Sequence, residues 1–222
     1  MNRPGRAFLA GFRGAVFDLD GTLVDSEPAW TKAKRIVADR HHRPVTTEQL
    51  VASEGRSMDR LIAEVFAPDT ADAAQSIKEA IFAEAENWLP QLRKPIPGAA
   101  DFLRELHGFG LAVALCSSSP AYLIVDALRQ IGVADIVEVV MSADPLPRPK
   151  PDPMPYIVTA KRLGFPPDQL IAFEDSVPGA RSAKDAGLFT VAIGRQATSP
   201  ELAFADLHAT SYAELQDMLG LP

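Results

Sequence analysis

The sequence predicts an α/β protein, a doubly wound parallel sheet interrupted by an inserted helical domain. Three observations predict it. Five short apolar runs recur without the in–out alternation of a half-exposed strand, as expected where helices cover both faces of a parallel sheet. Apolar stripes at helical spacing separate the later runs. One long stretch after the first run has helical spacing only. A strand–helix rhythm of this kind implies right-handed crossovers and two helical layers around one sheet.

The first run is Gly14-Ala15-Val16-Phe17-Asp18, apolar and ending in acid. From about Ser26 to Pro95 the rhythm breaks. Trp30, Ala33 and Val37, then Leu61, Ile62, Val65 and Phe66, then Ile77, Ile81, Ala85 and Trp88 mark amphipathic helices. Pro90, Pro95 and Pro97-Gly98 punctuate the return to the sheet. Phe102, Leu103 and Leu106 form a helical stripe before the second run, Leu111 to Cys116, which Ser117-Ser118-Ser119-Pro120 stops. Val125, Leu128 and Ile131 precede the third run, Ile136 to Met141. Ile157, Ala160 and Leu163 precede Gly164 and the fourth, Leu170 to Phe173, which ends at Glu174-Asp175. Ala180, Ala183 and Ala186 precede Gly187 and the fifth, Thr190 to Ile193. The expected domains are a core of 1–24 and 96–222 and a helical domain of 25–95.

Composition bounds the function. The chain has 222 residues, enough to bury a core without disulfides or a structural metal. Lys and Arg number 22 against 29 Asp and Glu, a net charge of −7, which argues against a nucleic-acid binder built on phosphate contacts. The 47% apolar and 23% charged fractions are those of an ordinary globular protein. The lone Cys116 excludes an intramolecular disulfide and reads as a small buried core residue. No apolar run approaches the roughly 20 residues of a membrane span. The stretch Met1 to Phe12 reads as a ragged basic lead-in, too short in apolar residues for a signal peptide. A cytoplasmic protein, monomer or weak homodimer, with no nucleic-acid or membrane partner, is expected.

Ligands of open parallel sheets bind beyond the carboxyl ends of the strands. Asp18 and Asp20, Ser117, Lys150, and Glu174 with Asp175 are all assigned there. Several carboxylates in one crevice repel unless a cation sits between them, and a hard oxygen-liganded ion such as Mg²⁺ fits. Lys150 and Ser117 are then suited to the remaining oxygens of a bound phosphate. A carboxylate beside that phosphate can attack phosphorus, and a second acid two residues away can protonate the leaving oxygen. The pair His41-His42 lacks a matching carboxylate cluster and reads as a solvated turn.

Asp18-Leu19-Asp20-Gly21-Thr22-Leu23 resembles the first signature motif of the haloacid dehalogenase (HAD) superfamily. Leu115-Cys116-Ser117 resembles the second, Lys150-Pro151-Asp152-Pro153 the third, and Phe173-Glu174-Asp175-Ser176-Val177-Pro178-Gly179 the fourth. The motifs occur in order and span nearly the whole chain. The resemblance implies a Rossmann-like core, a small helical cap inserted after the first motif, and a Mg²⁺ cofactor. It implies Asp18 as nucleophile and metal ligand, Asp20 as general acid/base and metal ligand through its carbonyl, and Asp175 and Glu174 in the metal shell. Ser117, with Ser118 beside it, and Lys150 would hold the phosphoryl group.

Within the superfamily, Asp20 separates this chain from haloacid dehalogenases and phosphonatases, which lack that acid. The absence of lysine between Lys34 and Lys78 also removes the cap Schiff-base lysine of phosphonatases. β-Phosphoglucomutases carry a cap histidine where this chain has Trp30, and an indole cannot shuttle a proton. Asp25-Ser26-Glu27-Pro28-Ala29-Trp30 instead resembles hexitol and 2-deoxyglucose-6-phosphate phosphatases. The expectation is a phosphatase for small sugar or sugar-alcohol phosphates, with specificity from cap residues Trp30 and Arg56. A sugar phosphomutase and a non-catalytic binder of phosphorylated metabolites stand as alternatives.

Overall fold

A computed structural model describes residues 8–53 and 58–221. The expected site residue Arg56, and Arg3 and Arg6 of the basic lead-in, lie outside the described residues. The strands are β1 (Gly14–Phe17), β2 (Val24–Asp25), β3 (Lys94–Pro95), β4 (Ala112–Ser117), β5 (Val139–Ser142), β6 (Leu170–Glu174), β7 (Phe189–Ile193) and β8 (Leu207–Ala209). Six form one sheet in the order β5-β4-β1-β6-β7-β8, and all its pairings are parallel. The central strand β1 aligns Phe17 with Leu115 on one side and with Phe173 on the other. The strands after β1 first add on one side of it and then on the other, so β1 is the topological switch point.

Strand residues sort by parity onto two faces. Ala15, Phe17, Val113, Leu115, Ile171 and Phe173 pack with helices Ala99–Gly108, Ala121–Gln130 and Tyr212–Leu219. Val16, Ala114, Cys116 and Ala172 pack with helices Met154–Leu163 and Val177–Asp185. The sheet is therefore apolar on both sides, which is why its strands do not alternate in sequence. Stacked Phe17 and Phe173 rings, 4.6 Å apart, meet the edge of Phe102 on the first face.

Several elements depart from the expectations. The stripe predicted from Ile157 is displaced: Ile157 is 47% exposed, and the helix instead buries Pro155, Tyr156, Thr159 and Ala160. Helix Ala121–Gln130 buries Leu123 and Ile124 rather than turning Val125 fully inward. The third strand starts late, at Val139, because the chain is still turning at Ile136, whose N–H donates to the Val133 carbonyl. Pro90 does not end a helix but lies inside Ala71–Leu92. The edge strand β8 was missed because its three residues hold a histidine and no apolar run.

The chain divides into two compact units, 1–24 with 95–222, and 25–94. The second unit is the helical insertion, with helices Glu27–Arg40, Thr47–Ser53, Met58–Val65 and Ala71–Leu92. Its first and last helices pack through Trp30 and Phe82, edge to face at 5.7 Å, and through Lys32 over the Trp88 ring. No helix among the described residues is long and apolar enough to cross a membrane.

Candidate active site

The candidate site lies wholly in the first unit, at the carboxyl ends of β1, β4 and β6. Asp18 directly follows β1, and its N–H donates to the Phe173 carbonyl, so its backbone continues the ladder. Gly21 then turns the chain at φ +90°, and its N–H donates to the Val24 carbonyl. A Cβ at Gly21 would fall on the Asp175 carboxylate, so only glycine lets the first and fourth motifs approach. Thr22 donates its hydroxyl to Asp175 Oδ1 at 3.3 Å.

Lys150 is the hub. Its ammonium donates to Asp18 Oδ1 at 2.7 Å, to Glu174 Oε1 at 2.6 Å and to the Cys116 carbonyl at 2.7 Å. These three acceptors match its three protons. Burial disfavours the ammonium charge, but Asp18 and Glu174 outweigh burial and hold its pKa well above the ordinary value. Lys150 is thus a permanent cation that ties together the ends of β1, β4 and β6.

Glu174 is fully buried, and three side chains donate to its carboxylate. Oε1 also accepts from the Tyr156 hydroxyl at 2.7 Å, and Oε2 accepts from the Ser176 hydroxyl at 3.1 Å. Ser176 also caps helix Val177–Asp185, accepting from the Gly179 N–H. A Cβ at Gly179 would overlap the Glu174 carboxylate. Burial first, then Glu174, raises the Tyr156 hydroxyl well above its usual value, so it remains a donor.

The acids outnumber the lysine. Asp18, Glu174 and Asp175 each bring a carboxylate oxygen within 4.8 Å of the others. Burial pushes Asp18 well above the usual carboxylate range; Lys150 opposes this, while Glu174, Asp175 and Asp20 add to it. Burial and then Glu174 push Asp175 up to about 8. Converging hard oxygens, with two of the carboxyls driven toward neutrality chiefly by burial, fit a divalent cation such as Mg²⁺. Asp18, Asp175 and Glu174 could hold it.

The Asp20 carboxylate accepts from the Ser119 hydroxyl at 2.6 Å and, at a longer 3.5 Å, from Ser117. Ser117 and Ser119 are buried, whereas Ser118 between them is exposed. Asp18, Asp20, Ser117, Lys150, Glu174 and Asp175 therefore come together, and Ser118 points to solvent. Trp30 is buried in the other unit, against Phe82. Cys116 is buried under Lys150, and burial pushes its thiol up to about 11, which leaves it unreactive. Sequence reasoning missed Ser119 and Tyr156. The serine run carried a signal for the first; Tyr156, the one hydroxylated aromatic on its helix, carried one for the second.

Fold and site together define an enzyme of the α/β class whose acidic side chains and lysine converge at the switch point of a parallel sheet. Residues 15–193 match the family of haloacid dehalogenase-like hydrolases, and the chain belongs to that family. It is 30% identical over 213 residues to hexitol phosphatase B of Escherichia coli (strain K12), covering 93% of this chain and 96% of that protein. It is 28% identical over 176 residues to the phosphorylated carbohydrates phosphatase of Thermotoga maritima, covering 78% and 81% of the two chains. The β-phosphoglucomutase of Clostridium difficile shares its fold, with a TM-score of 0.80 at 20% identity over 94% of this chain and 97% of that one.

Proposed function

We propose that the chain is a Mg²⁺-dependent phosphatase of small sugar or sugar-alcohol phosphate monoesters, acting through an aspartyl-phosphate on Asp18. The observation that carries this is the Lys150 bridge between Asp18 and Glu174, set beside a surplus of carboxylates. A bound Mg²⁺ would neutralise that surplus and polarise a phosphoryl oxygen. Lys150 and Ser117 orient the phosphoryl group. An Asp18 oxygen attacks phosphorus in line with the ester oxygen, whose bond to phosphorus breaks. The Asp20 carboxylic acid gives its proton to the departing alkoxide, releasing the alcohol. Asp20, now a carboxylate, takes a proton from the water that attacks the phospho-aspartate, and phosphate leaves with Asp18 restored.

The phosphatase relatives and the position of Trp30 support hydrolysis over isomerisation. Trp30 is 7% exposed and packs on Phe82, and its indole N–H does not act as an acid or a base. The test is phosphate release from a panel of sugar, hexitol and glycolate phosphates, with and without Mg²⁺, beside Asp18→Asn. Mg²⁺-dependent release lost in the variant is expected. Isomerisation of β-glucose 1-phosphate in the presence of a bisphosphate, with no net phosphate release, would assign a mutase instead.

A further inference from the structure

We propose that Ser119 is a positioning residue for the acid step: its hydroxyl fixes the rotation of the Asp20 carboxyl so that the proton faces the leaving oxygen. The inference rests on the phosphatase function proposed above and assigns a duty to a residue outside the four motifs.

The geometry isolates Ser119 from its two serine neighbours. Ser118 is exposed. Ser117 Oγ stands 3.5 Å from Asp20 Oδ2, at the limit of a hydrogen bond, whereas Ser119 Oγ donates to the same oxygen at 2.6 Å. The Ser119 backbone is itself pinned on both sides of its Cα. Its N–H donates to Ser117 Oγ at 3.0 Å, and its carbonyl accepts from the Ser142 hydroxyl at 2.8 Å. Ser142 is placed for this by the β4–β5 register, which pairs it with Ser117.

A serine before a helix ordinarily spends its hydroxyl on the helix N-terminus. Here the cap position of Ala121–Gln130 is Pro120, and the helix start takes no side-chain cap. The Ser119 hydroxyl is left for Asp20 alone among the bonds described, and at 7% exposure water replaces it poorly. Its amide meanwhile orients the Ser117 oxygen. One buried residue therefore aligns both the acid and the hydroxyl that faces the phosphoryl group.

In the step concerned, the phosphorus–oxygen ester bond breaks and its electron pair stays on the alcohol oxygen. That oxygen takes the Asp20 proton. The bond from Ser119 to Oδ2 sets the rotation of the carboxyl about its own axis, so one orientation is presented to the leaving oxygen. An alkoxide leaving group depends on this transfer, but a p-nitrophenolate leaves without it. The ratio kcat/KM covers events only through the first irreversible step, the formation of phospho-Asp18, so it excludes the later water attack.

The experiment compares kcat/KM of wild type, Ser119→Ala and Ser119→Thr on the best sugar phosphate of the panel and on p-nitrophenyl phosphate. Ser119→Ala is expected to lose about 10–100-fold on the sugar phosphate and less than about threefold on the aryl ester. Ser119→Thr, which keeps the hydroxyl, is expected to restore most of the loss. Equal losses on both esters would make Ser119 a phosphate-binding or packing residue and overturn the inference, as would no loss on either. Wild type inactive on both esters would overturn the phosphatase function itself, and this inference with it.

Discussion

Lys150 in the first unit and Lys34 in the helical insertion bury their side chains equally, at 6% and 7% exposure. Their partners differ. Lys34 pairs at 3.2 Å with Glu27, whose side chain is 34% exposed and also accepts from the Thr31 hydroxyl. Solvent reaches that carboxylate. Lys150 pairs with Asp18 and with Glu174, 10% and 0% exposed, and Asp175 stands within reach of both. Burial there crowds three acids around one lysine and pushes Asp18 and Asp175 above the usual carboxylate range. The same residue type thus serves stability in one unit, while in the other it sits among crowded acids that a further cation would complete.

The largest effect expected is that of Asp18→Asn. Turnover is expected to fall by at least about a thousandfold, because Asp18 is the proposed phosphoryl acceptor. The same variant removes one of the crowded acids and keeps Lys150 paired to Glu174. In Mg²⁺-free buffer it is expected to be about 1 kcal/mol more stable than wild type by chemical denaturation. A loss of stability without metal would show that the core acids are not in surplus and would break the contrast with Lys34.

Next in size is the response to pH and metal. The Asp175 carboxyl moves from an ordinary 3.8 to about 8. Between these values the folded chain holds a proton that the unfolded chain has lost, so the contribution of Asp175 to stability is full below about pH 4 and declines as pH rises toward about 8. Metal binding must displace that proton. The rise in melting temperature on adding Mg²⁺ is therefore expected to grow steadily between about pH 5 and about pH 8. A rise independent of pH would place the ion elsewhere.

Much of this was legible in the sequence, for a physical reason. An apolar run that stops at an acid or a serine marks the carboxyl end of a buried strand, and three such runs put Asp18, Ser117 and Glu174-Asp175 at one edge of the sheet. Chain order cannot resolve the next level. Which serine of Ser117-Ser118-Ser119 turns inward depends on the Ser142 bond and on the start of the helix at Pro120. The signal of Tyr156 is outweighed because hydrophobicity favours Ile157 as the core residue. The fold buries the tyrosine instead, since its hydroxyl reaches Glu174 while its ring fills the face beneath β4 and β6.

Tyr156 gives a smaller prediction. Tyr156→Phe keeps the ring and removes one of the donors that fix Glu174. Partners that orient a metal-site residue are typically worth about 10–100-fold, and Lys150 and Ser176 still hold this carboxylate, so a loss of about tenfold in Mg²⁺ affinity is expected by calorimetry. Unchanged affinity would mean that Lys150 and Ser176 alone define the Glu174 position.

The smallest effects belong to the Lys34 pair, and their order matters more than their size. Lys34→Met leaves Glu27 partly in water, and the methionine fills much of the lysine's buried volume. Its cost is expected near that of an exposed pair, below about 1 kcal/mol. Glu27→Gln leaves a buried ammonium without this carboxylate and is expected to cost more, about 1–3 kcal/mol. Both are read by urea denaturation. If Lys34→Met is instead the costlier change, Glu27 is not relieved by solvent, and the insertion holds its charges as tightly as the core does.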